Sequence, residues 1–427
     1  MSKLNVLVVG ASVAGPMTAY WLAKAGAKVT IIERFPALRT SGQNIDIRTS
    51  GVSVMRKIPG MEAAVRAKSA GIEGMSLVDN DGRPFMIMTS TGDPDQQSLV
   101  SEYEIFRGDL AKVLFDLTSN NENIKYIFDE QVASIQQNEE EDGPVKVEFL
   151  NGHHKTAEYD LVVACDGATS RTRAIGLGCG VRDYIEPLNV WAAYFAFQGD
   201  LVERDNIGRG YSAVGGRMQF LMPDSNGLNR GGFMAFHSNP DALVQFRKAS
   251  KQGDEALKQF IAQHYRGAGW KTEESIQGMM ESNDFYASEA VKVKAPTLHK
   301  GRFVMVGDAG YAPGFTGTGT TLAMTGAYML AGEICKHKND IAAALKGYEE
   351  KMRPLITDMQ KSPPFLSSIM APQTAWGLWV RNNLAFCLYN IYSFVSWTGI
   401  FTLLARSFSA GFDSAEKYKL PEYDWVA

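Results

Sequence analysis

The sequence predicts an α/β protein in which a parallel sheet is interleaved with an antiparallel sheet and followed by a helical segment. Three short apolar runs, each leading into Gly10, Asp166-Gly167 or Gly307-Asp308, have the composition of parallel strands buried on both faces. Aromatic and apolar residues alternate between positions 190 and 236, which predicts a second sheet that is antiparallel. The chain after residue 360 is apolar and has helical character.

The first element is a strand–turn–helix–strand unit. A buried strand, residues 4–9, leads into Gly10, Ser12 and Gly15, which occupy the three positions of G-x-G-x-x-G with serine in the middle. A predicted helix and a second strand follow, and Glu33 ends that strand. Such a turn brings a pyrophosphate to a helix N-terminus, and the acid about 20 residues on accepts hydrogen bonds from a ribose. The order of these parts predicts a Rossmann-like domain for an adenine dinucleotide.

Composition limits the other functions. With 427 residues, a net charge of −4 and no Lys/Arg-rich block, the chain has room for two or three domains and no nucleic-acid footprint. Its four cysteines form no C-x-x-C pair and its six histidines show no ligand spacing, so we expect no metal site and reduced thiols. The first apolar run is too short for a signal peptide, and we expect a cytoplasmic protein.

One segment permits a different localisation. Residues 384–405 carry no formal charge over 22 positions, which is long enough to span a bilayer. Polar residues and glycine interrupt this run, and aromatic residues are scattered through it. We therefore favour packed C-terminal helices over membrane association through 384–405.

The next segments connect the first unit to the second. Residues 42–48 predict a short strand or loop that either enters a site or is an ordinary connection. Residues 51–70 predict a helical stretch broken near Pro59-Gly60, and residues 77–89 predict two strands joined by a turn at 79–82. A helix is predicted over residues 104–115, with Arg107 at its start, where its simplest role is surface solvation.

Two further stretches place glycine and acidic residues at strand ends. Residues 161–165 predict a strand that leads directly into Asp166-Gly167, and the C-terminal ends of parallel strands are where such sheets bind ligands. After Gly307-Asp308, a loop rich in glycine and threonine leads into a helix predicted over residues 320–336, whose first amides can hold an anion or an electron-rich oxygen. The aromatic runs in between suit an apolar ligand or an ordinary core.

Together these motifs resemble the FAD-dependent aromatic hydroxylases, the single-component class A flavoprotein monooxygenases. The resemblance covers residues 4–360 and rests on G-A-S-V-A-G at 10–15, D-G-A-T-S-R-T-R at 166–173 and G-D-A-G-Y-A-P at 307–313 with Gly317-Thr-Gly319. Tetracycline-inactivating and fungal tailoring enzymes are the most similar branches. The resemblance implies that FAD is bound by Gly10, Ser12, Ala14, Gly15, Glu33, Arg34, Arg107, Asp166, Gly167, Asp308, Pro313, Gly317, Thr318, Gly319 and Thr320.

The resemblance also implies a reaction. NADPH, or alternatively NADH, would reduce FAD, and molecular oxygen would then give a flavin C4a-hydroperoxide that hydroxylates an electron-rich carbon. Pro313, Gly317 and Gly319 would be the residues at the reacting part of the flavin. Baeyer–Villiger oxidation or epoxidation by the same flavin chemistry, and a non-catalytic flavin- or ligand-binding protein, stay open as alternatives. Many relatives have histidine where this chain has Gly310-Tyr311, which leaves local packing and proton relay undetermined.

A substrate pocket and a domain division complete the predictions. We expect a bulky aromatic or polyketide-like small molecule, no nucleic-acid partner and a monomer. The expected substrate-binding residues are Asn44, Asp46, Trp191, Tyr194, Arg217, Gln219 and Phe236. The FAD-binding domain is predicted at 1–75, 104–180 and 286–360, the substrate domain at 76–103 and 181–285, and the C-terminal helical region at 361–427.

Overall fold

The computed structural model contains a parallel sheet layer, a large second sheet and an outer helical layer. It describes residues 3–39, 42–69, 71–92, 100–137, 143–152, 155–199, 201–203, 205–224, 227–239, 241–338, 340–361, 366–397 and 418–426. Strands β1–β18 and helices α1–α13 are numbered along the chain.

The parallel layer is a six-stranded sheet. Its order is β17-β18-β11-β1-β2-β7, and every pair is parallel except the edge pair of β17 and β18. The strands are β1 Asn5–Val9, β2 Lys28–Glu33, β7 Ile124–Phe128, β11 Leu161–Ala164, β17 His299–Lys300 and β18 Phe303–Met305. Because β1 lies between two partners and under helices, its apolar residues are excluded from water, as the sequence predicts.

Helices surround this layer and follow its strand ends. They are α1 Ala14–Lys24, α2 Ser50–Arg56, α3 Met61–Ala67, α4 Arg107–Thr118, α5 Arg171–Leu177, α9 Asp308–Tyr311, α10 Gly319–His337 and α11 Ile341–Met359. The break between α2 and α3 at Pro59-Gly60 is confirmed. The predicted helix at 104–115 is wrong in its first turn, because residues 104–106 form strand β6 and the helix begins at Arg107.

The second layer is a seven-stranded sheet of order β16-β12-β15-β14-β13-β4-β5. Its strands are β4 Gly74–Val78, β5 Pro84–Thr89, β12 Ile185–Phe197, β13 Ile207–Ala213, β14 Arg217–Pro223, β15 Asn229–Phe236 and β16 Asp284–Val293. The sheet is antiparallel as predicted except at β13 and β4, which pair in parallel. Since β16 belongs to this sheet, we propose that the substrate domain extends beyond residue 285 to Val293.

Three helices cover one face of the large sheet, and the sequence analysis did not predict them. They are α6 Asp241–Lys251, α7 Asp254–Tyr265 and α8 Thr272–Glu281. Their apolar side chains, including Leu243, Phe246 and Ile261, form one core with Trp191 and Phe233 of the sheet. This face of the sheet is therefore closed to ligands.

Smaller elements join the two layers. A three-stranded sheet contains β8 Val132–Gln136, β9 Val145–Phe149 and β10 Thr156–Tyr159, and a two-stranded ribbon contains β3 Asn44–Asp46 and β6 Glu104–Phe106. The C-terminal helices are α12 Leu366–Met370 and α13 Ala375–Trp397. Within the described ranges no helix is both long and apolar enough to cross a bilayer, and residues 398–405 of the predicted segment lie outside those ranges.

A half-buried histidine beside the helix-covered core makes the fold sensitive to acid. Burial, and then the neighbouring charges of His237 and Arg217, lower the pKa of His264 from 6.5 to about 4. The folded protein keeps this ring neutral while the unfolded chain protonates it, so stability is lost as the pH falls from about 6.5 to about 4. We expect this group to add about 1.4 kcal/mol per pH unit to the slope of the unfolding free energy in that window. Urea unfolding of wild type and His264→Gln at several pH values measures it, and equal slopes would contradict the assignment.

Candidate functional site: a dinucleotide cleft facing an apolar sheet

The turn after β1 has room only for glycine at two positions. A Cβ atom built on Gly15 would lie 1.8 Å from the carbonyl oxygen of Gly10. One built on Gly10, whose φ is 108°, would lie 2.6 Å from the carbonyl oxygen of Cys165. The missing side chain at Gly15 lets α1 pack against the turn, and the missing side chain at Gly10 lets the turn approach the end of β11. Ala14, on the same turn, packs against Gly307 at the third strand end.

An acidic residue lies at the edge of this turn. The Glu33 carboxylate accepts hydrogen bonds from the Ala11 N–H at 2.9 Å and the Phe35 N–H at 3.2 Å. Glu33 and Arg34 line a cleft of about 360 Å³ that also contains Gly10, Ser12, Asp166 and Gly167. The cleft therefore combines a carboxylate at the end of β2 with the N-terminus of α1, as an adenosine diphosphate requires.

Arg107 lies on the same cleft rather than on the outer surface. Its Nε donates a hydrogen bond to Ser12 Oγ at 3.2 Å, and its backbone N–H donates to the Gln43 carbonyl oxygen at 2.9 Å. A Cβ on Gly42 would lie 3.0 Å from the Arg107 side chain, so the segment at 42–44 packs on this arginine. The structure thus places a guanidinium beside the predicted pyrophosphate turn.

Asp166 caps the helix that follows it. Its carboxylate accepts hydrogen bonds from the Ser170 hydroxyl and from the backbone N–H and hydroxyl of Thr172, the latter two at 3.1 and 2.9 Å. Gly167 has a φ of 86°, in the left-handed region. Asp166 therefore shapes the strand-end loop, and Gly167 forms the surface that lines the cleft.

The third strand end is close to the start of α10. A Cβ atom on Gly319 would lie 3.6 Å from Asp308 Oδ1 and 3.7 Å from the Pro313 ring, and one on Gly317 would lie 3.4 Å from Asp46 Oδ2. Burial by the surrounding protein raises the pKa of the Asp308 carboxyl, and the charge of Arg107 opposes this shift. Thr318 is the N-cap position of α10 and Thr320 lies in its first turn.

Tyr311, the residue that departs from the related pattern, faces away from this loop. It is buried, and its hydroxyl lies 3.0 Å from that of Tyr348, which donates to the Met305 carbonyl oxygen. The Tyr311 side chain thus packs beneath α10, beside Gly326.

The structure places only some predicted substrate residues on the open side of the large sheet. We call this side the front face; it contains Ala192, Tyr194, Met218, Phe220, Met234 and Phe236. The Phe236 ring contacts Phe315 at a centroid distance of 5.6 Å, and β16 forms a bridge to Pro313 through Lys292. Phe236 therefore faces the Pro313–Gly319 loop, and Tyr194 lies on the same face of the sheet. Asn44 and Asp46 approach from the ribbon.

Trp191, Arg217 and Gln219 do not join them. The Trp191 ring stacks on Phe246, and the Gln219 side chain donates to Ser275 Oγ at 2.7 Å, both on the helix-covered side. The Arg217 guanidinium donates to the backbone carbonyls of residues 214 and 264. Because successive strand residues point to opposite faces, these three side chains lie against α6–α8 and away from the front face.

Sequence reasoning missed one residue that organises the cleft. Arg173 is 0% exposed, and its guanidinium donates to the carbonyl oxygens of Ala168, Ala309 and Val181 at 2.9, 2.8 and 2.7 Å. It joins the loops after β11 and β18. Arg173 is the last residue of the D-G-A-T-S-R-T-R motif at 166–173, but the sequence alone does not show that this arginine is buried.

Two other missed contacts join the layers. Arg39 lies over the Tyr286 ring at 4.4 Å, linking the cleft to β16. Burial alone would raise the pKa of Tyr286, but the charges of Arg107 and Arg39 and a hydrogen bond with Ser288 lower it. Glu104 lies opposite Asp46 in the ribbon, and no motif marks it.

Comparison with known proteins identifies the family. A family model described as an FAD binding domain matches residues 3–362. The FAD-dependent monooxygenase asL4 of Sarocladium schorii is 32% identical over 90% of this chain and 91% of its own. This chain belongs to the FAD-dependent monooxygenases. Monooxygenase CTB7 of Cercospora beticola is 31% identical to this monooxygenase, covering 99% of this chain and 98% of its own.

Solved structures confirm the fold of the monooxygenase. The crystal structure of tetracycline destructase Tet(55) matches it with a TM-score of 0.74 and 28% identity, covering 99% of each chain. The cleft fits FAD because it combines a glycine turn closed to any Cβ with a carboxylate at the end of β2. A second glycine loop, at the start of α10, follows the third strand end. The predicted fold class and family resemblance are confirmed.

Glu33 offers a direct test of how the monooxygenase holds adenosine. We expect Glu33→Gln to weaken FAD binding about tenfold, because a hydrogen bond from ribose to a carboxylate is worth about 1.5–3 kcal/mol. Fluorescence titration of apoprotein with FAD measures the dissociation constant. Glu158→Gln, at an exposed position of β10, is the control. An unchanged constant for Glu33→Gln would place the ribose elsewhere.

Proposed function

We propose that this monooxygenase takes electrons from NADPH or NADH and hydroxylates an electron-rich carbon of a bulky aromatic or polyketide-like molecule, with molecular oxygen as co-substrate. The observation that carries the proposal is the opposition of two surfaces. The apolar front face of the large sheet lies against the glycine loop at Pro313–Gly319, with the Phe236–Phe315 contact between them.

The front face suits a large apolar ligand of adaptable shape. Methionine is flexible and polarizable and makes favourable contacts with aromatic rings, so it accommodates ligands of irregular outline. Aromatic rings beside it supply flat apolar area. Four methionines pack on this side of the sheet beside three phenylalanines. They are Met75, Met218, Met222 and Met234, with Phe106, Phe220 and Phe236.

The loop before α10 provides the polar half of the site. Gly317, Thr318 and Gly319 present backbone N–H groups at the N-terminus of a 19-residue helix, where partial positive charge favours an electron-rich ring edge. Pro313 fixes the loop near Asp308, whose carboxyl suits a sugar-alcohol hydroxyl. Bound FAD supplies electron transfer and oxygen activation, while the protein orients the substrate and excludes water.

Relatives support the choice of substrate class. The tetracycline destructase named above takes its name from a polycyclic phenolic polyketide, and fungal monooxygenases are among the similar chains. The net charge of −4 gives no reason to expect a nucleic-acid substrate, and the apolar front face suits a small organic molecule. We also propose the FAD and NADPH roles of the individual residues as the resemblance implies them. Of the expected substrate-binding residues, we propose Asn44, Asp46, Tyr194 and Phe236.

Anaerobic reduction of the bound flavin tests the proposal. The FAD-loaded enzyme is mixed with NADPH or NADH, with and without a panel of phenolic polyketides, and flavin absorbance is followed. Acceleration by one compound, followed by a product with one new hydroxyl group on carbon when air is admitted, supports the hydroxylase. An ester, lactone or epoxide product would redirect the proposal to another oxygenation. Failure of both nicotinamides to bleach the flavin would overturn it.

A further inference from the structure

A small cavity lies where the ribbon of β3 and β6 meets the front face. Its volume is about 20 Å³, which is enough for one water molecule or one hydroxyl group. Gly42, Gln43 and Asn44 form one side, and the sheet residues Tyr194, Phe220 and Met222 form the other. The cavity is therefore a polar recess at the edge of an apolar, aromatic surface.

Two hydrogen-bond acceptors at this recess have no partner. The amide oxygens Gln43 Oε1 and Asn44 Oδ1 are buried without a hydrogen bond to any described residue. No other described residue of the cavity wall has a buried polar side-chain atom in this state. Buried acceptors are rarely left unpaired, because they lose the hydrogen bond they would make to water. The pair therefore points to a donor supplied from outside the chain.

Contacts behind Asn44 fix the direction of its amide. Asn44 Nδ2 donates to Glu104 Oε1, which leaves Oδ1 as the free end. Glu104 stands opposite Asp46, whose carboxylate is paired with the Arg48 guanidinium at 3.0 Å. Burial, and then the charge of Asp46, raise the pKa of Glu104 to about 8, against Arg48 and the Asn44 hydrogen bond. Whether neutral or charged, Glu104 keeps an oxygen that accepts from the Asn44 amide.

Charge around the recess does not favour an anion. The nearest guanidinium in the wall, that of Arg230, is paired with Asp224 and Asp284, each at 2.6 Å. Asp46 and Glu104 share the face of the ribbon that carries Asn44, so their carboxyl groups also disfavour a second anion here. A neutral donor therefore fits better than a phenolate or a carboxylate.

We propose that Gln43 Oε1 and Asn44 Oδ1 form a subsite for a neutral hydroxyl group on an aromatic ring of the substrate, with Glu104 as the residue that positions Asn44. The proposal rests on the proposed function and adds which substrate group is recognised and by which atoms. The ring lies on Tyr194, Phe220 and Met222, and its hydroxyl donates into the recess.

Equilibrium binding to the FAD-loaded enzyme tests this without turnover. 2,7-Dihydroxynaphthalene and its dimethyl ether are titrated separately, and the perturbation of flavin absorbance gives each dissociation constant. We expect wild type to bind the diol at least about tenfold more tightly, because the ether cannot donate. Asn44→Leu and Gln43→Met should each weaken diol binding and leave ether binding unchanged, which removes the preference.

The control is a glutamine outside the recess. Gln137 donates to the Lys300 carbonyl oxygen at the edge of the parallel sheet, and Gln137→Met should keep the full preference. Equal binding of the two probes by wild type, failure of either probe to bind, or a preserved preference in both recess variants would overturn the subsite. Because the variants are independent, misfolding of one leaves the other informative. The proposed function fails separately, if neither nicotinamide reduces the flavin.

Discussion

Replacing Arg173 by methionine should both destabilise the fold and release FAD. The change removes a buried guanidinium that donates to three carbonyl oxygens, at Ala168, Val181 and Ala309. Methionine fills a similar volume and donates nothing. Removing a buried guanidinium that makes three hydrogen bonds leaves those carbonyl oxygens without a donor, so we expect a loss of about 3–5 kcal/mol in the unfolding free energy. Urea unfolding of the apoprotein measures it, and the flavin-to-protein absorbance ratio after purification measures FAD retention.

A neighbouring arginine gives the matched control. Arg171 is exposed two residues earlier on the same helix, and Arg171→Met should change the unfolding free energy by no more than about 0.5 kcal/mol. Arg173→Lys should recover only part of the loss, since one ammonium cannot reproduce the fork of the guanidinium. Wild-type stability and FAD content in Arg173→Met would show that the two strand-end loops hold together without this residue.

The cofactor half of the site could be predicted because its parts are adjacent in sequence. Gly10, Gly15 and Glu33 belong to one strand–turn–helix–strand unit, and the distance between Gly15 and Gly10 is set by local geometry. Parallel strands then bring their carboxyl ends to one edge, which explains why Asp166 and Asp308 lie in the same region. Local spacing and a general rule of sheet topology were sufficient.

The substrate half could not be predicted in the same way. Both faces of β12 are apolar, because one packs on helices and the other faces the loop. The strand therefore lacks the alternation of apolar and polar residues that would distinguish a buried face from an exposed one. The sequence therefore predicts a strand without predicting its faces. Helices α6–α8 decide which face is closed, and their apolar positions, such as Leu257 and Ile261, recur at helical spacing that the analysis did not use.

The second prediction compares Trp191 and Tyr194, which lie three positions apart on opposite faces of β12. Trp191 is 0% exposed and contacts Phe246, Phe260 and Tyr265 of the helices. Trp191→Ala should lower the unfolding free energy by about 3–5 kcal/mol, since removing a buried aromatic side chain loses its transfer free energy and leaves a cavity. Probe binding per folded, FAD-loaded molecule should be unchanged. Urea unfolding and titration with 2,7-dihydroxynaphthalene provide the two measurements.

Tyr194→Ala should give the opposite pattern. Tyr194 is partly exposed on the front face and contacts Phe220 at a centroid distance of 5.7 Å, so its loss should cost about 1–2 kcal/mol of unfolding free energy. The same change removes a wall of the hydroxyl recess, and we expect probe affinity to fall about tenfold or more, because one aromatic contact is worth about 1 kcal/mol and the apolar area adds to it. Both variants contain one alanine in one strand, so strand propensity is matched. Weak probe binding with wild-type stability in Trp191→Ala would mean that the substrate lies on the helix-covered side, and the assignment of the two faces would have to be reversed.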